Sequence, residues 1–225
     1  LAPRAADVEE PPPGLQEHIV AILGTLYSRT EWPDVRLTTL TCIFQIVQTS
    51  GPVLNAQAWR TLLGTLHAAG QGNRNEVQQG FRSVQFVCAD FVEQFDAGGI
   101  RLLIAAVGGY ARQTVLEEKV NINLSAIQIL WALADYCAQH DTVGPEHWTG
   151  LLVQLRDTVR DPRPEVRHSA TKTLFMTLIT HGRAVPPECW QPCVWDVLLK
   201  VLDGVHEDAL RAEASERLGE STQVE

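Results

Sequence analysis

Asn55-Ala56-Gln57-Ala58-Trp59 runs into Leu62, Leu63 and Leu66, and Gly144-Pro145-Glu146-His147-Trp148 runs into Leu151, Leu152 and Leu155. In each, a Trp one turn into a helix is followed by Leu at +3, +4 and +7, which places all four side chains on one face of a 3.6-residue period. A third version starts at Pro187-Glu188-Cys189-Trp190, with Val194, Val197 and Leu198 on the same stripe. A second repeated element, Pro33-Asp34-Val35-Arg36 and Pro164-Glu165-Val166-Arg167, sets Pro in the first turn and an acid beside the positive helix end. The two copies lie 131 residues apart. That is three units of about 44, inside the span of about 40–47 residues of HEAT-type repeats.

Working outward, the stripes and caps predict a series of first helices starting near Gly14, Asn55, Asp96, Gly144 and Pro187. Between them runs a second series, over 33–50 (Leu40, Ile43, Phe44, Val47), 75–95 (Val77, Phe81, Val84, Cys88, Phe91, Phe95), 121–139 (Leu124, Ile127, Trp131, Ala134) and 164–181 (Val166, Ala170, Leu174, Leu178). Asn55, Asp96 and one of Asn121 or Asn123 suit helix N-caps, because their side-chain oxygens accept otherwise unpaired amide hydrogens. Gly51, Gly70, Gly72, Gly182 and Gly204 follow stripes, where a left-handed residue ends a helix. No segment reads as a strand. A single pair of such helices cannot bury both faces, so neighbouring pairs must stack on a shared core. The expected fold is all-α, a HEAT/armadillo-type solenoid of about four to five helical hairpins over 14–203. Residues 1–13 read as a flexible Pro-rich linker, so the chain is expected to be cut from a longer one, and 204–225 as a polar acidic tail. Exposed apolar surface is expected at both ends of the stack.

Composition narrows the function. The 225 residues are 45% apolar and 20% charged, enough for a substantial core. No apolar run approaches the roughly 20 residues needed to cross a bilayer. The net charge of −9 opposes binding to nucleic acid, which rewards a basic face that releases counterions. Five cysteines, Cys42, Cys88, Cys137, Cys189 and Cys193, are odd in number and mostly sit in apolar stripes, which suits a reducing compartment better than a disulfide framework.

No catalytic, cofactor or metal site is expected. Cys189 and Cys193 stand one helical turn apart and supply two ligands of a zinc site, but no second Cys/His pair stands at ordinary spacing, so small core residues are the simpler reading. Cys137 and His140 close a helix, where a cationic His favours the negative dipole end. No phosphate-cradling glycine loop is present. One basic concentration, Arg156, Arg160, Arg163, Arg167, His168 and Lys172, crowds the turn of the fourth hairpin. It suits an acidic peptide or a lipid head group, unless Asp157, Asp161 and Glu165 neutralise it, with Asp161–Arg167 as an internal bridge.

The run Asn121-Ile122-Asn123-Leu124-Ser125-Ala126-Ile127-Gln128-Ile129-Leu130-Trp131-Ala132-Leu133-Ala134-Asp135-Tyr136 resembles the Mon-two family. So do Asp161 to Ala170 with His181-Gly182, Phe81 to Gln85 with Asp90-Phe91, and Trp190 with Trp195 to Leu198; together the likeness spans about 75–205. These are large proteins related to the big Arf guanine-nucleotide exchange factors but without the catalytic Sec-seven domain. The resemblance implies a HEAT/armadillo solenoid that scaffolds Golgi–endosome transport without chemistry, with a Dopey-type scaffold and Arf/Arl-type small GTPases as partners. It implies a cytoplasmic protein, peripheral on Golgi, trans-Golgi or endosomal membranes. Two other readings stay open: a regulatory region of an active large Arf exchange factor, and a generic HEAT adaptor of the phosphatase-scaffold or importin-like kind. Candidate partner-binding residues are Asn121, Asn123, Asp135 and Tyr136 at the ends of the most specific helix, and Arg156, Arg160, Arg163 and Lys172 in the basic turn.

Overall fold

The computed structural model describes residues 14–116, 120–140 and 143–222. Within them the chain forms α1 (Leu15–Arg29), α2 (Pro33–Ser50), α3 (Ala56–Ala69), α4 (Arg74–Asp90), α5 (Ala97–Ala111), α6 (Asn121–Gln139), α7 (Pro145–Val159), α8 (Pro164–His181), α9 (Pro187–Pro192) and α10 (Leu199–Thr222), with a π-helical stretch, Cys193–Leu198, joining the last two. No strand occurs among the described residues. The linker expected at 1–13 lies outside them.

Helix starts follow the capping chemistry. Asn55 Oδ1 accepts from Ala58 N at 2.9 Å and Asp96 Oδ1 from Gly99 N at 2.7 Å, each satisfying an amide of a first turn. Pro opens α2, α7, α8 and α9, where its missing N–H costs nothing. Both expected helix series are therefore found in place. The helix ends differ from expectation. Gly51, Gly70 and Gly182 are right-handed, because the chain tightens into a further turn instead of reversing hand; positive φ among the described residues occurs at Gly14 (φ 84°). Gly51 is required for space, since a Cβ there would stand 2.6 Å from Cε1 of Phe91. Gly204 lies within α10 rather than after a helix.

The helices form two layers. α1, α3, α5 and α7 pack in sequence and α9–α10 packs on α7, while α2, α4, α6 and α8 make the second layer. Each hairpin thus buries its stripes against the next. Trp59, Trp148, Tyr110 and Leu62, Leu63, Leu66, Leu103 and Ile104 lie in one continuous core. Burial of each large apolar side chain contributes about 1.5–3 kcal/mol.

Two stripes are placed differently from their reading. On α6 the buried face is Asn123, Ala126, Ile127, Leu130, Leu133, Ala134 and Cys137, with Leu124 and Trp131 only half-buried. Over α9–α10 it is Cys189, Cys193, Val197 and Val201, with Trp190 37% exposed. A strict α-helix advances 100° per residue, so steps of four would drift about 40° each off the core. Pro192 lacks an N–H, and the wider π turn that follows keeps the four in line. Thr149 Oγ1 reaches Cys189 Sγ at 3.8 Å, so these sulfurs pack against α7 as core.

Candidate partner-binding surface

Four candidate residues lie on α6, at its two ends. Its 19 residues make a rod of about 28 Å, so Asn121 and Asn123 share no site with Asp135 and Tyr136.

At the first end, Asn123 is wholly buried. Its Nδ2 donates to the carbonyls of Ala111 and Gln113, both at 2.9 Å, and its Oδ1 accepts from Gln113 Nε2 at 2.9 Å and from Arg163 Nη1 at 3.3 Å. Asn123 closes the carbonyl end of α5, whose last-turn oxygens have no helical partner. The expectation that it meets a partner is overturned: no part of it reaches the surface. Nor is it or Asn121 an N-cap; Val120 holds that position, without a side-chain bond.

Arg163 completes the same seam. It grips Asp161 through two hydrogen bonds of 2.8 Å and donates to the Gln113 carbonyl at 3.0 Å. Burial works against the Asp161 carboxylate, but the hydrogen bonds from Arg163 and the charges of Arg163 and Arg167 together hold it below the ordinary carboxylate range. The bridge expected between Asp161 and Arg167 is not formed by the carboxylate, which Arg163 has taken; Arg167 donates instead to the Asp161 backbone oxygen at 2.9 Å.

The remaining basic groups diverge. Arg156 is held by Asp157 at 2.6 Å and donates to the Asp196 carbonyl at 2.8 Å, tying α7 to the π stretch. Arg160 reaches Glu207 of α10 at 3.1 Å, and Arg211 lies 3.4 Å from the same carboxylate. Lys172 is exposed on α8. Arg163 therefore points inward, Arg156 sideways and Arg160 toward α10, so the basic turn offers fewer outward charges than its sequence promised.

At the far end of α6, Asp135 is exposed and accepts from Gln139 Nε2 at 2.7 Å, with buried His181 Nε2 3.8 Å away. Tyr136 stacks on His140 at 4.0 Å, and His140 lies 3.4 Å from Glu93. These groups form an edge where α6, α8 and the α4–α5 connection converge.

One cluster was not anticipated. Glu76, buried at the start of α4, accepts from Tyr27 Oη at 2.7 Å and from its own cap Asn73 at 2.6 Å, while Arg36 stands 3.6 Å away over the Tyr27 ring. Burial, and then the bond to Glu76, push the Tyr27 hydroxyl well above its ordinary range. The spacing Asn73-x-x-Glu76 is a capping box and carried the signal. Among the described residues no group of three or more His, Cys, Asp or Glu is arranged to hold a metal ion, and no helix is long and apolar enough to cross a membrane.

A family model described as the C-terminal region of Mon2 protein matches residues 144–222, which carry α7 to α10 and the basic turn. A second, described as Mon2/Sec7/BIG1-like, HDS, matches residues 9–86, which carry α1 to α3 and most of α4. The Protein MON2 homolog of Homo sapiens is 27% identical over 83% of this chain and 12% of its own length. The Monensin-resistant homolog 2 of Caenorhabditis elegans is 28% identical over 91% of this chain and 13% of its own. The chain is similar to Mon2 proteins over both matched stretches.

The chain spans 12–13% of the length of those relatives. The run Asn121 to Tyr136 lies between the two matched stretches. The Brefeldin A-inhibited guanine nucleotide-exchange protein 3 of Arabidopsis thaliana is 38% identical over 61 residues, 27% of this chain and 4% of its own. No solved structure matches the chain.

Proposed function

We propose that this chain is a non-catalytic, protein-binding segment of a scaffold in Golgi–endosome vesicle traffic, acting at the cytoplasmic face of those membranes. The observation that carries the reading is the pairing, in one continuous stack, of an exchange-factor-like stretch with a Mon2 C-terminal stretch. A stack of hairpins presents long faces suited to other proteins. Its partners are a Dopey-type scaffold and Arf/Arl-type small GTPases, met through outward residues such as Asn121, Asp135, Tyr136, Arg160 and Lys172. Membrane contact is peripheral and electrostatic, through the outward part of the basic turn.

Affinity capture on the immobilised chain, with an Asp135→Ala chain as control, tests the protein partners. Enrichment of a Dopey-type protein or Golgi GTPases that fails with the control supports the scaffold. Enrichment of phosphatase subunits or nuclear cargo replaces it with a generic adaptor. For the membrane contact, Arg160→Glu with Lys172→Glu should weaken flotation on phosphatidylserine-rich vesicles; equal flotation discards that contact.

A second reading has its own support. The identity with the Arabidopsis exchange protein favours a regulatory region of an active Arf exchange factor. Nucleotide exchange on an Arf-type GTPase by the full-length protein would establish it.

A further inference from the structure

The 131-residue repeat sets up a comparison within the chain. Arg36, Phe44 and Trp59 correspond to Arg167, Phe175 and Trp190, each pair 131 positions apart. The backbone roles agree: Arg36 donates to the carbonyl of Thr30 at 3.0 Å and Arg167 to that of Asp161 at 2.9 Å, each six residues back.

The surroundings differ in one respect. In the first copy all three side chains are covered by α4 and the turn after it. Arg36 meets Glu76; Phe44 meets Phe86 at 5.8 Å and the Arg82 guanidinium at 4.5 Å; Trp59 meets Phe91 at 5.3 Å and Phe95 at 5.1 Å. In the second copy no following helix of that layer is present among the described residues. Phe44 is 7% exposed and Phe175 43%; Trp59 is 2% exposed and Trp190 37%.

The charge at the vacant place is complementary to an acid. Arg160, Arg167 and Arg211 line a groove of about 450 Å³ between the α7–α8 turn and α10. Asp161 is taken by Arg163. Glu207 stands as far from the start of α9 as Glu76 does from the start of α3, but α10 runs on through Gly204 where α3 stops at Ala69, and the carboxylate meets Arg160 and Arg211 instead of Arg167.

We propose that this end face is a docking site for one further amphipathic helix, supplied from outside these 225 residues, with a defined pattern. It carries a carboxylate in its first turn, met by Arg167, and large apolar residues about ten and fifteen positions later, which cover Phe175 and Trp190. Those spacings are the ones Glu76 and Phe86 have on α4 and Phe91 has just after it. Carboxylate and guanidinium fix the register, and the apolar positions exclude water. The site is independent of the trafficking reading, since it rests on the internal repeat alone.

The probe is a labelled synthetic peptide with the sequence of residues 72–92, added to the intact chain and followed by fluorescence anisotropy. Expected are saturable binding, a loss of at least about tenfold with either the Glu76→Gln peptide or the Arg167→Ala chain, and little further loss with both, because the two changes remove one contact. Arg167, Phe175 and Trp190 are exposed, so their variants should keep the helical circular dichroism of the parent. Phe175→Ala should weaken binding as well. Binding indifferent to both charge changes overturns the proposal, as does binding that responds to Arg36→Ala but not Arg167→Ala, which would mean the peptide displaces α4. A chain that binds no peptide but self-associates, and becomes monomeric on Phe175→Asp, also overturns it in favour of a second copy as the occupant.

Discussion

Asn123 and Arg163, forty residues apart in sequence, meet with Nη1 3.3 Å from Oδ1, and through that contact α6 and the α7–α8 turn jointly close the end of α5. Each also holds the Gln113 carbonyl. Asn123→Ala would leave the buried Ala111 carbonyl without this donor and the Gln113 side-chain amide without its acceptor, at about 1–3 kcal/mol for each group left unsatisfied. The expected result is a loss of about 2–4 kcal/mol in urea unfolding, with Asn123→Asp also destabilising because it removes the donor and adds charge. An Asn123→Ala chain as stable as the parent would remove the seam from the account.

Asp161 gives the chain an acid-sensitive contact. Its carboxyl is held below the ordinary range in the folded state, so its contribution is fully present above the unfolded value of about 3.9 and is lost as pH falls through the lower folded value. Melting temperatures measured from pH 7 downward should fall more steeply in the acid range for the parent than for Asp161→Asn. At neutral pH the order reverses in cost: Asp161→Asn leaves the largely buried Arg163 guanidinium short of its counter-charge and should destabilise by about 3–5 kcal/mol.

Trp59 and Trp190 share a repeat position but not a surrounding. Trp59→Ala opens a cavity beneath Phe91 and Phe95 and should cost about 3–5 kcal/mol. Trp190→Ala, with more than a third of its surface already in solvent, should cost less than half as much. Paired denaturant titrations decide this, and equal costs would count against the equivalence.

The thiols separate by environment. Burial pushes the Cys88 and Cys137 thiols up to about 12, and Cys189 and Cys193 are buried against α7 and raised by the same cause. Thiolate is the reactive form, so a disulfide reagent at pH 8 should modify Cys42 well before the other four. Mass spectrometry after brief labelling reads the site, and rapid modification of Cys137 would contradict the packing of α6.

Much of the fold is legible because local signals agree. Asn55 and Asp96 name helix starts by capping, and Pro33 and Pro164 name two more by their missing amide. The stripes Leu62-Leu63-Leu66 and Leu151-Leu152-Leu155 name the buried faces. Legibility fails where a distant neighbour decides. Trp190 reads like Trp59 because a stripe records the helix it lies on, whereas burial also requires the next helix. The drift at Cys189 to Val201 is hidden for another reason: periodicity assumes 3.6 residues per turn, and Pro192 introduces a wider one. In the basic turn, sequence counts charges but not directions, so Arg163, spent on Asp161, looks the same as Lys172, which faces water. Gln113 carries no sequence signal, because its partners Asn123 and Arg163 lie on α6 and in the α7–α8 turn.

The two-layer arrangement, in which a hairpin meets chiefly the hairpin before it and the one after, has a mechanical side. Strain introduced at one seam is shared with two neighbours and decays beyond them, so the stack yields locally, like a hinged ruler, while distant joints keep their shape. The buried polar ties, Tyr27 to Glu76 and Asn123 to Arg163, sit at two such joints and act as stops on their opening. A rod jointed in this way can bend to follow a curved surface without any one helix having to melt.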